Sequence, residues 1–364
     1  MTRVLLAGGG TAGHVNPLLA IADELMVQGQ CAASEILVLG TTEGLESRLV
    51  PAAGLTLVTV ARLPFPRRLS LYALAFWPRF VIATFQVVRM ILRNRVEIVA
   101  GFGGYACAPA YVAAWLTRTP SVIHEANSVA GFANRLGSRL SPHVATTFAS
   151  TDLPGAKRIG MPLSRSITHP ELTPSPAGAR AHFGLSPQKK TLLITGGSQG
   201  ARSINATIEA GLADLLATGW QLLHIVGARN DVPKNPPKGY VGLSYCDRMD
   251  LAFAAATAMV SRAGAATVSE ISLLGIPAIF VPYPVGNGEQ EKNARGSVDA
   301  GAALLVRDAD FTPRYVLEKM VPLLGDDKAL AKMARSAKDL GDRDASGDFV
   351  QMMLEALGRV EEKE

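Results

Sequence analysis

Two stretches of the chain repeat one device. Arg3-Val4-Leu5-Leu6-Ala7 runs into Gly8-Gly9-Gly10-Thr11-Ala12-Gly13-His14, and Thr191-Leu192-Leu193-Ile194-Thr195 runs into Gly196-Gly197-Ser198-Gln199-Gly200-Ala201. Each is a short apolar run of strand character that breaks into glycines and continues with helical periodicity. A strand, a glycine loop and a helix start bring backbone N–H groups and the positive end of a helix dipole to one point, which suits a phosphate or another anion. Two such units predict two Rossmann-like halves, doubly wound parallel α/β sheets, facing a deep cleft.

The length of 364 residues exceeds one ordinary core and fits two domains. The boundary is expected near residues 163–188, where Pro170, Pro174, Pro176 and Pro187 give a linker composition. The domains are then 1–165 and 166–341, with a charged C-terminal helix of about 342–364 packing back on the first. Cys31, Cys107 and Cys246 form neither a zinc pattern nor an even disulfide set, which points to a reducing cytoplasm. A net charge of +5 is too modest for nucleic-acid binding. The chain opens directly on a core strand, so no signal peptide is expected.

The basic excess is concentrated. Between Arg62 and Val96 stand seven arginines (Arg62, Arg67, Arg68, Arg79, Arg89, Arg93, Arg95) and no Asp, Glu or Lys. Apolar and aromatic residues lie among them. Pro78-Arg79 splits the run, so a membrane span is not expected. An apolar surface rimmed by arginine suits docking on an anionic bilayer face, through Leu71, Phe76, Trp77 and Arg79. The segment from Phe80 to Ile91 reads equally well as a buried helix.

Gly8-x-Gly10-x-x-Gly13 has dinucleotide spacing, but the acidic residue expected after the second strand is missing, since Ile36–Gly40 ends in Gly-Thr-Thr. His14 at a helix start favours a neutral, proton-accepting imidazole, although it could simply cap that helix. Gly101-Phe102-Gly103-Gly104-Tyr105 and His124-Glu125-Ala126-Asn127 also follow strands. All these loops would lie at the carboxyl edge of one parallel sheet, where His14, Tyr105, Glu125 and Asn127 form a polar acceptor pocket. Singly, Glu125 could be a cap and Tyr105 a packed aromatic.

In the second half, the strand Ala258–Arg262 leads into Ala263-Gly264-Ala265-Ala266-Thr267-Val268-Ser269-Glu270 and a helix stopped by Gly275. Small residues at the helix start can approach a diphosphate closely, and Glu270 one turn on can accept both hydroxyls of a ribose. A capping Thr267 or Ser269 with an exposed Glu270 is the bland alternative.

These motifs, with Glu289-Gln290 and Asn293-Ala294, resemble the glycosyltransferase-B superfamily and, within it, family 28. Its bacterial members transfer N-acetylglucosamine from its UDP form to undecaprenyl-pyrophosphoryl-N-acetylmuramoyl-pentapeptide, converting lipid I to lipid II for peptidoglycan, cell shape and division. The resemblance covers nearly the whole chain. It implies a donor site of Ser198 at the diphosphate, Cys246 meeting uracil through its backbone, Ala265 to Ser269 at phosphates and ribose, Glu270 on the ribose and Gln290 on the sugar. Thr11, Ala12, Gly13 and Asn127 close on the sugar side, Arg165 corresponds to an arginine of the family's domain-crossing segment after a one-residue shift, and Gly103, Gly104 and Tyr105 line the acceptor. Departures are Ala12 for a frequent glycine, Ala126 for glutamine in His-Glu-Gln-Asn, and Glu289 for glutamine.

The implied chemistry is a direct, inverting displacement with His14 as general base and Glu125 either orienting it or contacting the acceptor. No cofactor and no protein-bound metal are expected. Asp308-Ala309-Asp310 has a suitable spacing for a metal but is read as a solvated loop. The implied partners are UDP-N-acetylglucosamine, lipid I, the anionic cytoplasmic face of the cell membrane, where the enzyme is peripheral, and other cell-wall or division proteins. Rival readings are a UDP-N-acetylglucosamine 2-epimerase on the same fold, a NAD(P)-dependent oxidoreductase and a nucleotide-sugar-binding membrane scaffold.

Overall fold

The computed structural model describes residues 2–66, 70–172, 174–197, 199–285, 287–342 and 344–359. The chain divides into two compact units, Met1–Ser164 with Asp344–Glu364, and Arg165–Arg343. In the first, β1 (Val4–Ala7), β2 (Ile36–Gly40), β3 (Thr56–Thr59), β4 (Ile98–Gly101), β5 (Ser121–Glu125), β6 (His143–Thr146) and β7 (Ala156–Arg158) form one sheet. The strand order is β3-β2-β1-β4-β5-β6-β7, and every pairing is parallel. In the second unit, β8 (Thr191–Thr195), β9 (Gln221–Ile225), β10 (Tyr240–Leu243), β11 (Ala258–Ser261), β12 (Ala278–Phe280) and β13 (Ala303–Leu305) pair in the order β10-β9-β8-β11-β12-β13, again all parallel.

Both sheets are covered on both faces, as parallel sheets must be. Along β1, Val4 and Leu6 join one core cluster while Leu5 and Ala7 join the other, the period-two alternation of a strand. The helix Ala345–Ala356 contributes Phe349, Val350, Met352 and Met353 to the first of these clusters. The strand order reverses direction at β1/β4 in the first unit and at β8/β11 in the second. Crevices at the carboxyl ends of strands at such switch points are where open α/β sheets take ligands. The glycine loops stand at both.

Two expectations are corrected. The proline-rich segment expected as a linker holds a helix, Pro176–His182, capped by the Ser175 hydroxyl on the Gly178 amide. Pro176 occupies the first helical position, where its missing N–H costs nothing. Arg180 then ties this helix to Ala255 O, Pro187 O and Thr257 Oγ1.

The apolar run does not break at Pro78-Arg79. One helix spans Leu71–Asn94, with the Ser70 hydroxyl accepting from the Ala73 amide. An interior proline removes one hydrogen bond and costs about 3 kcal/mol, which the buried face of this helix outweighs. Phe76, Ala83, Val87 and Ile91 all sit in the core, and fully burying one large apolar side chain contributes about 1.5–3 kcal/mol. Phe76 is therefore a core residue, 2% exposed, and not part of a docking surface. The opposite face is also apolar and stands open: Leu74, Trp77 (58%), Val81, Ile82, Phe85 (71%) and Leu92 are exposed. Arg79, Arg89 and Arg93 are exposed on the same helix. By length and composition the helix is long enough to cross a membrane. The side chain of Leu71 and the residues Arg67 and Arg68 lie outside the described residues.

Candidate active site

In the first unit the helix Ala12–Val27 begins directly after the glycine loop. Thr11 caps it by position only, with no side-chain hydrogen bond, and Ala12 is already helical, so a methyl group there meets no strain. His14 is partly buried, and its Nδ1 lies 3.0 Å from Gly9 O. A carbonyl can only accept, so this bond requires the proton on Nδ1 and leaves the lone pair on Nε2. The ring lies against Gly103. That residue has φ +94°, and a Cβ there would come within 3.0 Å of His14 Nε2 and Cδ2.

The glycine loop is itself held by a residue that sequence reasoning passed over. Glu46 is fully buried. Its Oε2 accepts from the Gly10 amide at 2.8 Å, and its Oε1 accepts from the Thr41 amide and hydroxyl, each at 2.8 Å. Burial by itself raises a carboxyl's pKa, but these hydrogen bonds outweigh it and hold Glu46 below the ordinary carboxylate value. A buried charge with this many donors signals a loop that must keep one shape. Its sequence signal, Gly40-Thr41-Thr42-Glu43-Gly44-Leu45-Glu46, reads as an ordinary surface turn.

Among the described residues no hydrogen bond joins Glu125 to His14. Its Oε1 accepts from the Asn127 amide (2.9 Å), and its Oε2 accepts from the Gly131 amide (3.0 Å) and Asn134 Nδ2 (2.9 Å). Asn134 also donates to His124 O and accepts from the Tyr111 hydroxyl. The carboxylate therefore orders the loop that carries Asn127, whose carbonyl accepts from Thr151 Oγ1. His124 points away from that loop into the core, between Phe102 and Phe349, donating Nε2–H to Gly160 O at 2.9 Å. Desolvation lowers its pKa to about 4, so it is neutral. Tyr105 is at the surface with the Arg62 guanidinium 5.1 Å from its ring centre, and Gly103 and Gly104 both have positive φ.

In the second unit, Thr195 Oγ1 accepts from the Gly197 amide at the exit of β8. Ser198 lies outside the described residues. Gly200 (φ +75°) passes so close to the backbone of Val226 that a Cβ would stand 2.1 Å from its carbonyl oxygen. That oxygen accepts from both Asn205 Nδ2 and Asn230 Nδ2, each at 2.9 Å. Asn205 Oδ1 is bonded to His224 Nε2, and His224 Nδ1 to the Tyr240 hydroxyl. The helix Arg202–Ala210 follows without a side-chain cap.

The helix Ala265–Leu274 starts after Gly264, also uncapped, and ends at Gly275 in the left-handed conformation. Ala265 and Val268 are buried, while Ala266, Thr267, Ser269 and Glu270 are partly exposed. Neither Thr267 nor Ser269 is the cap. Glu270 forms no hydrogen bond within the described residues, and desolvation raises its pKa to about 7. Cys246 is buried, which pushes its thiol up and keeps it neutral. Gln290 Oε1 accepts from the Tyr283 amide, which turns its amide nitrogen the other way. Arg165 opens the short helix Arg165–Thr168.

Asp308 is not a solvated carboxylate. It pairs with Arg262, whose guanidinium also donates to Val281 O, Pro282 O and Ser203 Oγ, and Ser203 Oγ donates in turn to Asp308. This network joins the loop after β11 to the first turn of the helix Arg202–Ala210, so both uncapped helix starts are fixed against each other. Asn293 Nδ2 adds a bond to Ala263 O.

Residues 4–146 match the glycosyltransferase family 28 N-terminal domain, and residues 191–349 match its C-terminal domain. The chain belongs to glycosyltransferase family 28. It is 52% identical over 358 residues, 98% of this chain and 97% of the relative, to a UDP-N-acetylglucosamine–N-acetylmuramyl-(pentapeptide) pyrophosphoryl-undecaprenol N-acetylglucosamine transferase of Clavibacter sepedonicus. A crystal structure of Acinetobacter baumannii MurG superposes with a TM-score of 0.76 at 28% identity, covering 98% of this chain and 100% of that one. These fix the architecture as GT-B. A Neisseria meningitidis UDP-GlcNAc 2-epimerase superposes with a TM-score of 0.68 at 15% identity, over 98% of this chain and 100% of that one, a likeness of fold alone.

Proposed function

We propose that this family 28 enzyme is an inverting N-acetylglucosaminyltransferase that moves N-acetylglucosamine from UDP-N-acetylglucosamine to the C4 hydroxyl of the muramoyl sugar of lipid I, giving lipid II. Its near-full-length identity to a transferase of that name supports the substrate pair. The observation that carries the mechanism is the tautomer of His14: Nδ1–H is committed to Gly9 O, so Nε2 is an available base. Nε2 takes the proton of the C4 hydroxyl as that oxygen attacks the anomeric carbon. UDP departs with the bonding electron pair. Its charge is stabilised by the uncapped starts of the helices Arg202–Ala210 and Ala265–Leu274, a preorganised electrostatic role.

On the donor side, the free carboxyl of Glu270 accepts the two ribose hydroxyls, Gln290 offers its amide N–H to the sugar, and the backbone near Cys246 meets the uracil. Ser198 and Arg165 complete the diphosphate contacts, and Ala265 to Ser269 line them. Thr11, Ala12, Gly13 and Asn127 serve the sugar, with Gly103, Gly104 and Tyr105 on the acceptor side. Glu125 acts by shaping the Asn127 loop. The enzyme works as a peripheral protein at the cytoplasmic face of the membrane, resting on the exposed apolar face of Leu71–Asn94 with its flanking arginines.

The test is transfer of labelled sugar from UDP-N-acetylglucosamine to a short-chain lipid I analogue, giving a β-linked disaccharide. Formation of UDP-N-acetylmannosamine from the donor alone, without transfer, would instead make the protein an epimerase.

A further inference from the structure

One peptide group joins two features of the first unit. The carbonyl of Gly9 and the N–H of Gly10 are its two ends. The oxygen accepts from His14 Nδ1 at 3.0 Å, and the N–H donates to Glu46 Oε2 at 2.8 Å. We propose that Glu46 is a positioning residue for the base, acting on His14 through the Gly9–Gly10 peptide as a carboxylate acts through a direct bond in an acid–histidine pair. This deepens the transferase reading and rests on it.

A peptide is a resonance-coupled dipole. A carboxylate at its N–H end draws electron density toward its oxygen, and successive hydrogen bonds polarise one another. The strengthened acceptor holds Nδ1–H, fixes Nε2 as the basic nitrogen and offsets the imidazolium charge that forms in the transfer step. In that step the C4 O–H bond breaks and an Nε2–H bond forms. The C4 oxygen bonds to the anomeric carbon, and the bond to UDP breaks with its electrons on UDP. Glu46 moves no proton. Its full burial keeps water from screening the charge.

The other titratable groups around His14 do not supply this field. Cys107 and Tyr111, on the helix after Gly104, are buried and neutral, the thiol pushed up to about 12 and the phenol well above its ordinary value by burial. His124 is neutral in the core. Glu125 is taken up by its own loop, while Arg62 sits over Tyr105 and pairs with Glu43 at the surface. Among the described residues, Glu46 is the carboxylate that a hydrogen-bonded path links to His14.

The test uses full-length protein. In Glu46→Gln, kcat should fall on the order of 10–100-fold, as for lost partners of functional histidines, with the KM for UDP-N-acetylglucosamine unchanged. The imidazole of His14, followed by NMR, should titrate at lower pH than in wild type, and the acid limb of kcat/KM should move with it. An independent measurement needs no variant: in wild type the Gly10 amide proton should move downfield as His14 protonates, with the same midpoint. A Gly10 amide that ignores His14, or an unchanged His14 titration in folded Glu46→Gln, overturns the proposal. A parallel loss of donor affinity overturns it too, because that marks general damage. Wild-type protein that shows the coupling but transfers no sugar would remove His14 as a base, and with it the catalytic use of the relay.

Discussion

Glu270 has two properties that pull in opposite directions. Its carboxyl has no hydrogen-bond partner among the described residues, and its surroundings favour the neutral form up to a pKa of about 7. A ribose diol needs the ionised form, so binding must draw the proton off. UDP affinity should therefore fall roughly tenfold between pH 8 and pH 6, following the fraction ionised. Calorimetry at three pH values checks this, and the slope should vanish in Glu270→Gln. Stability runs the other way. A folded-state pKa above the unfolded value gives stability that is present below about pH 4.5 and lost as pH rises through 7. Glu270→Gln should thus melt higher than wild type at pH 8 while binding UDP more weakly. At His14, replacement by alanine should slow kcat by roughly 10²–10⁴ with UDP affinity within a few-fold. Equal losses of both would strip it of the role of base.

At the scale of elements, the helix Leu71–Asn94 does two jobs on two faces. Phe76, Ala83, Val87 and Ile91 fasten it to the core, and Trp77, Val81 and Phe85 form the open apolar strip. Exposed contiguous apolar surface on this scale marks an interaction site. The double variant Trp77→Ser/Phe85→Ser should release the protein from anionic vesicles in sedimentation while leaving its melting temperature and UDP binding alone. Phe76→Ser should behave differently, lowering stability by about 3–5 kcal/mol, as large-to-small changes in a core do. Vesicle binding that survives the double variant would move the docking surface elsewhere.

For the whole molecule, acid is the relevant stress. Each unit buries a neutral histidine, His124 in the first and His224 in the second, and desolvation lowers both to about 4. The unfolded chain binds these protons near pH 6.5, so the stability they represent is present above pH 6.5 and drains away as pH falls toward 4. Each contributes on the order of 1–3 kcal/mol. Thermal melts from pH 7.5 to pH 4.5 should show the first unit losing stability across this window, while in the second the upward shift of Glu270, equal in size and opposite in sign, offsets that of His224. In His224→Gln the second unit should instead gain stability as pH falls through 7, leaving the loss in the first unit unchanged. A first-unit melt independent of pH over that range would contradict the burial of the His124 imidazole.

Strand runs bounded by glycine, their alternation with helices and the loops at one sheet edge are local properties, legible from Val4–Ala7, Thr191–Thr195 and Ala258–Ser261 without coordinates. Family motifs at His14, Glu125 and Glu270 were legible for the same reason, because glycine and small residues betray close backbone approach. What each side chain touches was not. Whether Phe76 faces core or solvent depends on how the helix passes through Pro78 and packs, and that is settled by burial on one face outweighing a single missing hydrogen bond. Asp308 looked solvated because Arg262, its partner, is 46 residues away in the chain. Glu46 drew no reading from the sequence because its partners, Gly10 and Thr41, meet only when β1 and β2 pair. Composition and periodicity determine which segments form strands and helices. Long-range hydrogen bonds and ion pairs exist only after the sheet brings distant loops together, and they decide which polar groups remain free for a ligand.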